Sequence, residues 1–406
     1  MRVVLLGEHR ADRMVPPFRR AGAEVVVLGF VDLDAFLGPG AVCGKLPPEL
    51  TDAGLLSLLC EYDADLAVAN MGQIGQERLL PVYARVGATW RSTGHRMLAH
   101  SEDFAWLATD KVWLHSVARQ RHWPAPRGVV CDAPAALLAA AGSIGLPTVV
   151  KEACSEPFAG RHYVADSQSL QQVCREVRYP VVVQEAVEGE EFGVELLTTP
   201  SGTVIWPVAS MGRLDGDCAP GKRVRVAPAP LPDQAHEELL KVVQDIVDAF
   251  GPAGPWQLDF AVGDDGRLHL IEINGRLSGM TNLSWTSTDV DPHAAHVAAA
   301  LGQPPPPCRA ERVALELPVR NEAVLPPVPA GVELRPFPGN PANRGPLHLG
   351  YYRAVLGVPA DREDRAREWL LSVPEELLLA SPRMALDQLT RGMLALKQGG
   401  SAVTSC

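Results

Sequence analysis

The stretch from residue 256 to residue 282 constrains the fold most strongly, because it has the pattern of two strands joined by a tight turn. Asp265-Gly266, near its centre, is a favoured pair for a two-residue β-hairpin loop. We therefore predict an antiparallel ribbon with that loop at its tip. The loop sets the register across the ribbon, which pairs Asp259 with Glu272 and Gln257 with Asn274.

One face of this ribbon is predicted to be polar. Because side chains alternate along a strand, Glu272 and Asn274 share one face, while Ile271 and Ile273 enter the other. Two carboxylates about 5 Å apart repel by about 3 kcal/mol at an effective dielectric constant of 20. A divalent cation would offset that repulsion, since Mg²⁺ prefers carboxylate and amide oxygens. The alternative is a solvated hairpin face with incidental acids.

Arg276 follows Asn274 by two residues and carries a fixed positive charge that suits phosphate. An acid-x-Phe strand, a turn and then Glu-x-Asn-x-Arg after an apolar run resembles the metal-binding end of the ATP-grasp ligases. The resemblance implies that Asp259, Glu272 and Asn274 hold two Mg²⁺ ions, or alternatively Mn²⁺, on the phosphates of ATP. It also implies that Arg276 is catalytic and faces the transferred phosphoryl group.

Composition narrows the class of protein. A chain of 406 residues is long enough for two or three domains. A formal charge of -11 argues against a nucleic-acid partner. The N-terminal apolar run is too short for a signal peptide, and no run approaches the roughly 18 apolar residues of a membrane span. We therefore expect a cytoplasmic protein with no membrane partner.

The cysteines and histidines suggest no metal or redox centre. Eight cysteines are scattered along the chain without a Cys-x-x-Cys pair, which favours free thiols over disulfides or a zinc site. None has the local signature of a catalytic cysteine. His293 and His296 are spaced three apart on a predicted helix without a third ligand, so we expect them on the protein surface.

The segment up to residue 95 alternates strands and helices, which predicts an open parallel α/β sheet. It has no Gly-x-Gly-x-x-Gly, which weighs against an NAD enzyme. It resembles the α/β domain that precedes the ATP-grasp core. We therefore expect an α/β and α+β protein of ATP-grasp fold, divided as 1–95 for this domain, 96–300 for the ATP-grasp domain and 301–406 for a C-terminal α+β subdomain. Within the ATP-grasp domain, the lid subdomain takes about 112–187 and the metal-binding core about 188–300.

Two lysines are candidate phosphate ligands. Lys111 opens a predicted helix, and Lys151 ends a buried-looking strand, where a charge needs a partner or an opening. Both are similar to the phosphate lysines of the ATP-grasp family. The following loop has only one glycine between residues 152 and 163, so few backbone amides can approach phosphate freely. The side chains of Arg161 and His162 are expected to take their place.

The resemblance also implies a nucleotide hinge. Gln184 and Glu185 fall at the edge of adenine, Val187 supplies backbone groups, and Glu191 binds the ribose. Ile271 is a further expected nucleotide contact. The resemblance implies a preference for adenine over guanine, although Gln184 stands where an acid is common in the family. The alternative is a charged loop between two strands.

A Gly/Pro-punctuated basic loop completes the candidate site. It contains Arg223 and Arg225, which the resemblance makes catalytic, and Lys222, which it assigns to substrate. The alternative is a solvated surface. Ser278 and Gly279, also assigned to substrate, follow an arginine in the manner of the carbamoyl-phosphate-synthase-like branch of the family.

The implied reaction is the activation of a carboxylate by ATP, followed by amide formation with an amine. We expect an ATP-dependent carboxylate-amine ligase that makes a peptide or γ-glutamyl-type bond between an amino acid and an amine. Its partners are small molecules, and a homodimer is expected. The alternatives are a bicarbonate-using carboxylase or carbamoyl-phosphate-type enzyme, a non-catalytic ATP-binding module and, more weakly, a kinase.

Overall fold

The computed structural model describes residues 1–30, 37, 42–47, 49–71, 76–154, 160–213, 223–321, 323–337 and 351–399. Lys222 lies outside these ranges. The described residues form three β-sheets with helices packed against them. No helix in this part of the chain is long and apolar enough to cross a membrane.

The N-terminal sheet has five strands, all parallel, in the order β3-β2-β1-β4-β5. Its first strand is fully buried from Val3 to Leu6, as expected of a parallel strand covered on both faces. The predicted open α/β arrangement is confirmed. The strands are β1 Arg2–Leu6, β2 Glu24–Gly29, β3 Val42–Lys45, β4 Leu66–Ala69 and β5 Arg96–Leu98, and the helices are α1 Ala11–Arg20, α2 Asp52–Glu61 and α3 Leu80–Ser92.

A small antiparallel sheet forms the next unit, in the order β6-β9-β7-β8. Two helices lead into it: α4 Glu102–Thr109 and α5 Lys111–Gln120. Asp110 separates them and caps α5, since its carboxylate accepts from the N–H groups of Val112 and Trp113. The unit comprises β6 Gly128–Cys131, α6 Pro134–Ile144, β7 Thr148–Glu152, β8 Arg161–Val164, α7 Ser167–Glu176 and β9 Val181–Glu185.

The third sheet has nine strands, in the order β15-β14-β10-β12-β13-β16-β18-β17, with β11 paired to β10. The last three strands among the described residues continue this sheet, so it joins the predicted metal-binding ribbon to the C-terminal region. The strands are β10 Gly189–Thr199, β11 Gly202–Ile205, β12 Ala209–Arg213, β13 Arg225–Ala227, β14 Gly254–Gly263, β15 Leu268–Asn274, β16 Val313–Arg320, β17 Glu333–Phe337 and β18 Tyr351–Val358. The helices are α8 Asp233–Phe250, α9 Thr281–Thr288, α10 Pro292–Ala300, α11 Glu363–Ser372 and α12 Pro382–Lys397.

The hairpin of β14 and β15 has the predicted pairing at Gln257 and Asp259, but its turn and the pairs next to the turn, from Phe260 to Val262, differ from the prediction. Gly263 pairs with Arg267, so the turn has three residues, and Gly266 takes a positive φ of 79° within it. A register shift between Asp259 and Phe260 leaves one extra residue on β15, which is Ile271. The bulge cancels the longer turn, so Asp259 still faces Glu272.

Because of the bulge, the prediction that Ile271 shares a face of the ribbon with Ile273 is wrong. Leu270 and Ile273 are buried in the core, whereas Ile271 is only half-buried and lines a small cavity beneath the four-stranded sheet. The surface position expected for His293 and His296 is also wrong. Both are 1% exposed, because α10 packs against α1 and the N-terminal sheet.

Candidate active site

The acidic residues of the ribbon lie together as predicted. Asp259 is opposite Glu272, and Gln257 is opposite Asn274. The Asn274 side-chain amide donates to Asp259 Oδ2 at 3.0 Å, and the Gln257 amide donates to the other oxygen. These two amides fix the orientation of the carboxylate, which lines the cleft between the ribbon and the lid.

Glu272 is held by cations from the lid side. Lys111 Nζ lies 2.6 Å from Glu272 Oε1, and Arg161 Nη1 lies 4.0 Å from Oε2. Burial opposes ionisation of Glu272, but Lys111, Arg161 and Lys151 outweigh it and lower its pKa to about 2. Glu272 is therefore an anion at neutral pH, and a metal ion at this carboxylate must compete with Lys111.

Asp259 has the opposite electrostatic character. Burial, together with the negative charges of Glu272 and Glu191, raises the pKa of Asp259 to about 7. The two facing carboxylates thus differ widely in acidity because the cations beside Glu272 outweigh its burial, whereas the charge of Arg276 does not outweigh the burial of Asp259. A cation bound between them would favour the ionised form of Asp259.

Lys151 lies on β7 and reaches across to the ribbon. Its Nζ donates to the Ile271 carbonyl at 3.0 Å, so the bulge provides the acceptor. Burial, with Arg161 and Lys111 nearby, lowers the pKa of Lys151 to about 8 although Glu272 opposes the shift. The structure thus brings both predicted phosphate lysines to one wall, and Arg161 lies beside them.

Arg276 is fixed by a residue that sequence reasoning missed. Its guanidinium forms an ion pair with Glu77, at the start of a 3₁₀-helix (Glu77–Leu79) in the N-terminal region, and donates to Asn274 Oδ1 at 3.4 Å. Glu77 outweighs the effect of burial and raises the pKa of Arg276. Nothing around Glu77 in the sequence indicated this role, because its partner is 199 residues away.

A second missed residue, Glu195, organises the loop after Arg276. Its fully buried carboxylate accepts from Ser278 N at 3.2 Å, Ser278 Oγ at 2.8 Å and Thr281 Oγ1 at 2.9 Å, and from the Ser284 hydroxyl. Burial raises the pKa of Glu195 despite these bonds. The carboxylate holds Ser278 and the start of α9 against the cleft.

Arg225 enters the site with support from the C-terminal strands. Its Nη1 lies 3.5 Å from Glu316 Oε1, and Arg353 Nη1 lies 3.4 Å from the same oxygen. Glu316 is completely buried, so a carboxylate on β16 is shared by two arginines from β13 and β18. Neither Glu316 nor Arg353 carried a motif.

Arg223 occupies a different place from Arg225. Its guanidinium pairs with Glu191, the residue expected to bind ribose, and it does not line the main cleft. Glu191 is therefore engaged by an arginine, and a ribose hydroxyl must displace or share that partner. The assignments of both residues stay predictions.

One residue of the predicted nucleotide hinge borders a small cavity of about 10 Å³ between the four-stranded sheet and the ribbon, which has room for about one water molecule. Gln184 and Ile271 line it, and the Gln184 amide lies 3.4 Å from His115 Nδ1. Glu185 points elsewhere, because its carboxylate accepts from Arg127 N at 2.9 Å. Val187 follows β9 in a half-buried connection. A purine base requires the two walls to separate.

The cleft between ribbon and lid encloses about 190 Å³. It brings together most of the predicted residues from four regions of the chain. Its walls are Lys111, Lys151, Arg161, Met211, Arg225, Gln257, Asp259, Glu272, Asn274, Arg276, Ser278, Gly279 and Met280. Five cations and two carboxylates thus face one small volume, an arrangement suited to a polyanion bound with metal ions.

The donor set fits Mg²⁺ better than a transition metal. Among the described residues, no group of three His, Cys, Asp or Glu side chains is arranged to hold a metal ion. Asp259, Glu272 and Asn274 offer only oxygen ligands, which leaves positions for water and phosphate, as Mg²⁺ prefers. These three residues can therefore hold the expected Mg²⁺ ions when phosphate oxygens complete the coordination shell.

Comparison with known sequences identifies relatives. Residues 110–305 match the profile of a family described as carbamoyl-phosphate synthase L chain, ATP binding domain. A D-alanine–D-alanine ligase of Geotalea uraniireducens is 30% identical over 242 residues, which cover 58% of this chain and 72% of that ligase. A formate-dependent phosphoribosylglycinamide formyltransferase of Erwinia tasmaniensis is 26% identical over 378 residues, covering 86% of this chain and 90% of that enzyme.

Solved structures share the fold. The biotin carboxylase domain of Hydrogenobacter thermophilus 2-oxoglutarate carboxylase, in complex with MgADP, ADP and bicarbonate, superposes with a TM-score of 0.71 at 14% identity, covering 98% of this chain and 95% of that one. An L-amino acid ligase from Bacillus licheniformis gives a TM-score of 0.66 at 18% identity, covering 92% and 97%. At these identities the likeness concerns the fold alone.

Proposed function

Since this chain belongs to the ATP-grasp superfamily of carbon–nitrogen bond-forming ligases, we propose that it joins the carboxylate of an amino acid to an amine or a second amino acid. The products are an amide of the peptide or γ-glutamyl type, ADP and phosphate. The names of the D-alanine–D-alanine ligase and the L-amino acid ligase described above indicate that both enzymes join amino acids. This supports the proposed choice of substrates.

One observation carries the proposal. Asp259, Glu272 and Asn274 lie on one face of the ribbon, at the wall of a cleft that also holds Lys111 and Lys151. A protein that only binds ATP does not require the oxygen ligands of Asp259, Glu272 and Asn274 beside two buried lysines. The arrangement therefore supports turnover over simple binding.

The proposed role of each residue follows from its position in the cleft. Lys111, Lys151 and Arg161 neutralise phosphate oxygens from the lid side, and Arg276 does so from the end of the ribbon, in the same cleft. Asp259, Glu272 and Asn274 would hold two Mg²⁺ ions, or Mn²⁺, which when bound supply further charge neutralisation at the phosphates. Gln184, Val187 and Ile271 would contact the base.

The chemistry needs little proton transfer by side chains. A carboxylate oxygen of the substrate forms a bond to the γ-phosphorus while the bond to the bridging oxygen breaks and ADP leaves. The amine nitrogen then bonds to the acyl carbon, phosphate leaves, and the amine loses a proton. Arg276 and Arg225 would stabilise charge on the transferred group, while Ser278 and Gly279, with Lys222, would contact the substrate.

Release of ADP from ATP and Mg²⁺ in the presence of paired amino acids tests the proposal. We expect at least one pair to raise ADP release well above the rate with ATP alone, and mass spectrometry to detect the corresponding dipeptide or amide. Equal release with and without amino acids and other carboxylate-amine pairs would contradict a ligase function.

The second candidate is an enzyme that uses bicarbonate. It is supported by the Hydrogenobacter carboxylase structure, which has the same fold and contains bicarbonate. The described wall beyond Arg276 consists of Ser278, Gly279 and Met280, and none of these side chains is a base for bicarbonate. The two candidates differ in one measurement, since ADP release that depends on added bicarbonate rather than on amino acids would favour the carboxylase.

A further inference from the structure

Two methionines form an apolar part of the cleft wall, which we call the methionine wall. Met211 lies on β12, and Met280 lies just before α9. Among the described residues that line the cleft, only these two have apolar side chains, since the others are charged, polar or glycine. Met280 is 2% exposed and belongs to an apolar cluster behind the wall, and the half-buried Met211 packs against that cluster.

Met211 reaches the cleft because of a bulge in β12. Phe192 on β10 pairs with Ser210, and Glu191 pairs with Gly212, so Met211 is the extra residue of the bulge. A bulge interrupts the alternation of side chains and redirects one of them, often next to an active site. Here Ser210 is fully buried, whereas Met211 lines the cleft. The bulge thus adds an apolar side chain to a wall that is otherwise polar.

Met280 lies beside the proposed metal ligand Asp259. A Cβ atom on Gly193 would lie 2.5 Å from both Sδ and Cε of Met280 and 3.1 Å from Asp259 Oδ1, so the two side chains approach each other over the backbone of β10. Glycine inside a strand often marks such a close approach. The methionine wall therefore borders the end of the cleft where the acid substrate would meet the γ-phosphate.

The loop that carries Met280 has little hydrogen-bonding capacity left for a polar side chain. The Ser278 hydroxyl donates to Glu195 at 2.8 Å and accepts from Met280 N at 2.9 Å. A Cβ atom on Gly279 would lie 3.7 Å from Arg225 Nη1, so the Arg225 guanidinium limits the wall on that side. An apolar surface beside polar groups that already have partners favours an apolar ligand.

We propose that the methionine wall is the subsite for the side chain of the activated acid, and that this acid is an amino acid with an aliphatic or thioether side chain. The proposal rests on the ligase function proposed above. Thioethers are flexible and polarizable, so Met211 and Met280 would adapt to apolar side chains of different shapes.

Isothermal titration calorimetry on the full chain tests the proposal. The protein is first saturated with Mg²⁺ and a non-hydrolysable ATP analogue. The main probes are L-leucine, L-asparagine and L-aspartate, because their side chains have nearly the same size but differ in polarity and charge. L-Methionine and L-alanine extend the series to a longer thioether and to a single methyl group. Aspartate also tests whether an acidic side chain would bind Arg225 instead.

We expect leucine or methionine to bind about tenfold more tightly than asparagine, aspartate and alanine, because only the former bury a large apolar side chain. Met211→Gln, which has a similar size but is polar, should weaken that binding about fivefold or more and change asparagine binding less than about twofold. Met211→Leu, which stays apolar, should keep the preference. Met384→Gln, at an exposed position of α12, is the matched control and should change no affinity by more than about twofold.

Asparagine or aspartate binding as tightly as the apolar probes would overturn the proposal. The same holds if Met211→Gln leaves leucine and methionine binding unchanged, or if no probe binds. If Met211→Gln does not fold, as judged by circular dichroism, Met211→Ala provides the comparison, since it removes the thioether without adding a polar group.

Calorimetry requires no turnover, so the subsite and the ligase function fail in different ways. Leucine binding that depends on Met211 without formation of an amide would contradict the ligase function and leave the subsite. Amide formation from polar amino acids alone would contradict the subsite and leave the ligase function.

Discussion

Asp259 and Glu272 face each other across the ribbon with very different acidities, because Lys111 pairs with Glu272 while Asp259 accepts only from amides. The pair is thus predisposed to receive positive charge. At the scale of single residues, the proposed metal site needs ionised carboxylates, and the cations beside Glu272 keep that side chain ionised in a buried wall.

Replacing Glu272 by Gln is expected to lower turnover at least about 100-fold, because an uncharged amide cannot match the carboxylate towards a metal ion or Lys111. ADP release at saturating substrates measures the effect, and thermal unfolding shows that the chain still folds. Asp264→Asn is the matched control, since it removes an exposed carboxylate of the same hairpin that pairs with Arg213. Near-normal turnover of Glu272→Gln would contradict the metal assignment.

At the scale of elements, the hairpin shows how far sequence patterns reach. The alternation of apolar residues and the Asp265-Gly266 pair located the ribbon and its facing acids correctly. The length of the turn and the bulge were not predictable, because they depend on how β15 packs against the lid, where Lys151 bonds the Ile271 carbonyl.

Residues that act through distant partners were missed for a related reason. Glu77, Glu195 and Glu316 are single acids whose partners lie far away in sequence, such as the 83 residues between Glu195 and Ser278. Their local sequence has no signature, since a buried carboxylate is recognisable only once the fold brings its donors together.

The lid sheet is expected to respond to nucleotide through Lys151. Nucleotide at about 100 times its dissociation constant stabilises a protein by about 2.7 kcal/mol, and Lys151→Met should remove more than half of this because a phosphate contact is lost. Differential scanning calorimetry with and without MgADP measures the shift. Lys241→Met, at an exposed position of α8, should keep the full shift. Equal shifts in both variants would exclude Lys151 as a phosphate ligand.

The strands of the C-terminal region are expected to support the site through Glu316. Glu316→Gln leaves Arg225 and Arg353 without their shared anion, so we expect a loss of about 3 kcal/mol in unfolding free energy and lower turnover. Urea unfolding and ADP release measure the two effects. Glu311→Gln, an exposed acid just before β16, is the control. Unchanged stability of Glu316→Gln would show that the two arginines do not depend on this carboxylate.

At the scale of the whole molecule, histidines are buried where the N-terminal sheet meets the core. Burial lowers the pKa of His296 to about 3 and that of His100 to about 4, below the usual 6.5 of the unfolded chain. Below pH 6.5 the unfolded chain therefore binds more protons, so stability is full above that pH and is lost as the pH falls towards 3 to 4.

His296→Leu tests this acid sensitivity. Neither ring nitrogen of His296 has a hydrogen-bond partner among the described residues, so the substitution should cost little at pH 7.5. At pH 5 the wild-type histidine should lower the unfolding free energy by about 2 kcal/mol, a penalty that the leucine variant escapes. Urea unfolding at the two pH values measures the difference. Parallel losses in both proteins would mean that His296 is not the sensitive group.

Lys111 bridges two parts of the molecule. Its backbone N–H donates to the Ala153 carbonyl in the lid at 2.7 Å, while its ammonium group holds Glu272 on the opposite wall. A metal ion bound at Glu272 would take over the charge neutralisation that the ammonium group provides. We therefore expect the tie that Lys111 makes between the lid and the ribbon to weaken once the ribbon carries additional positive charge.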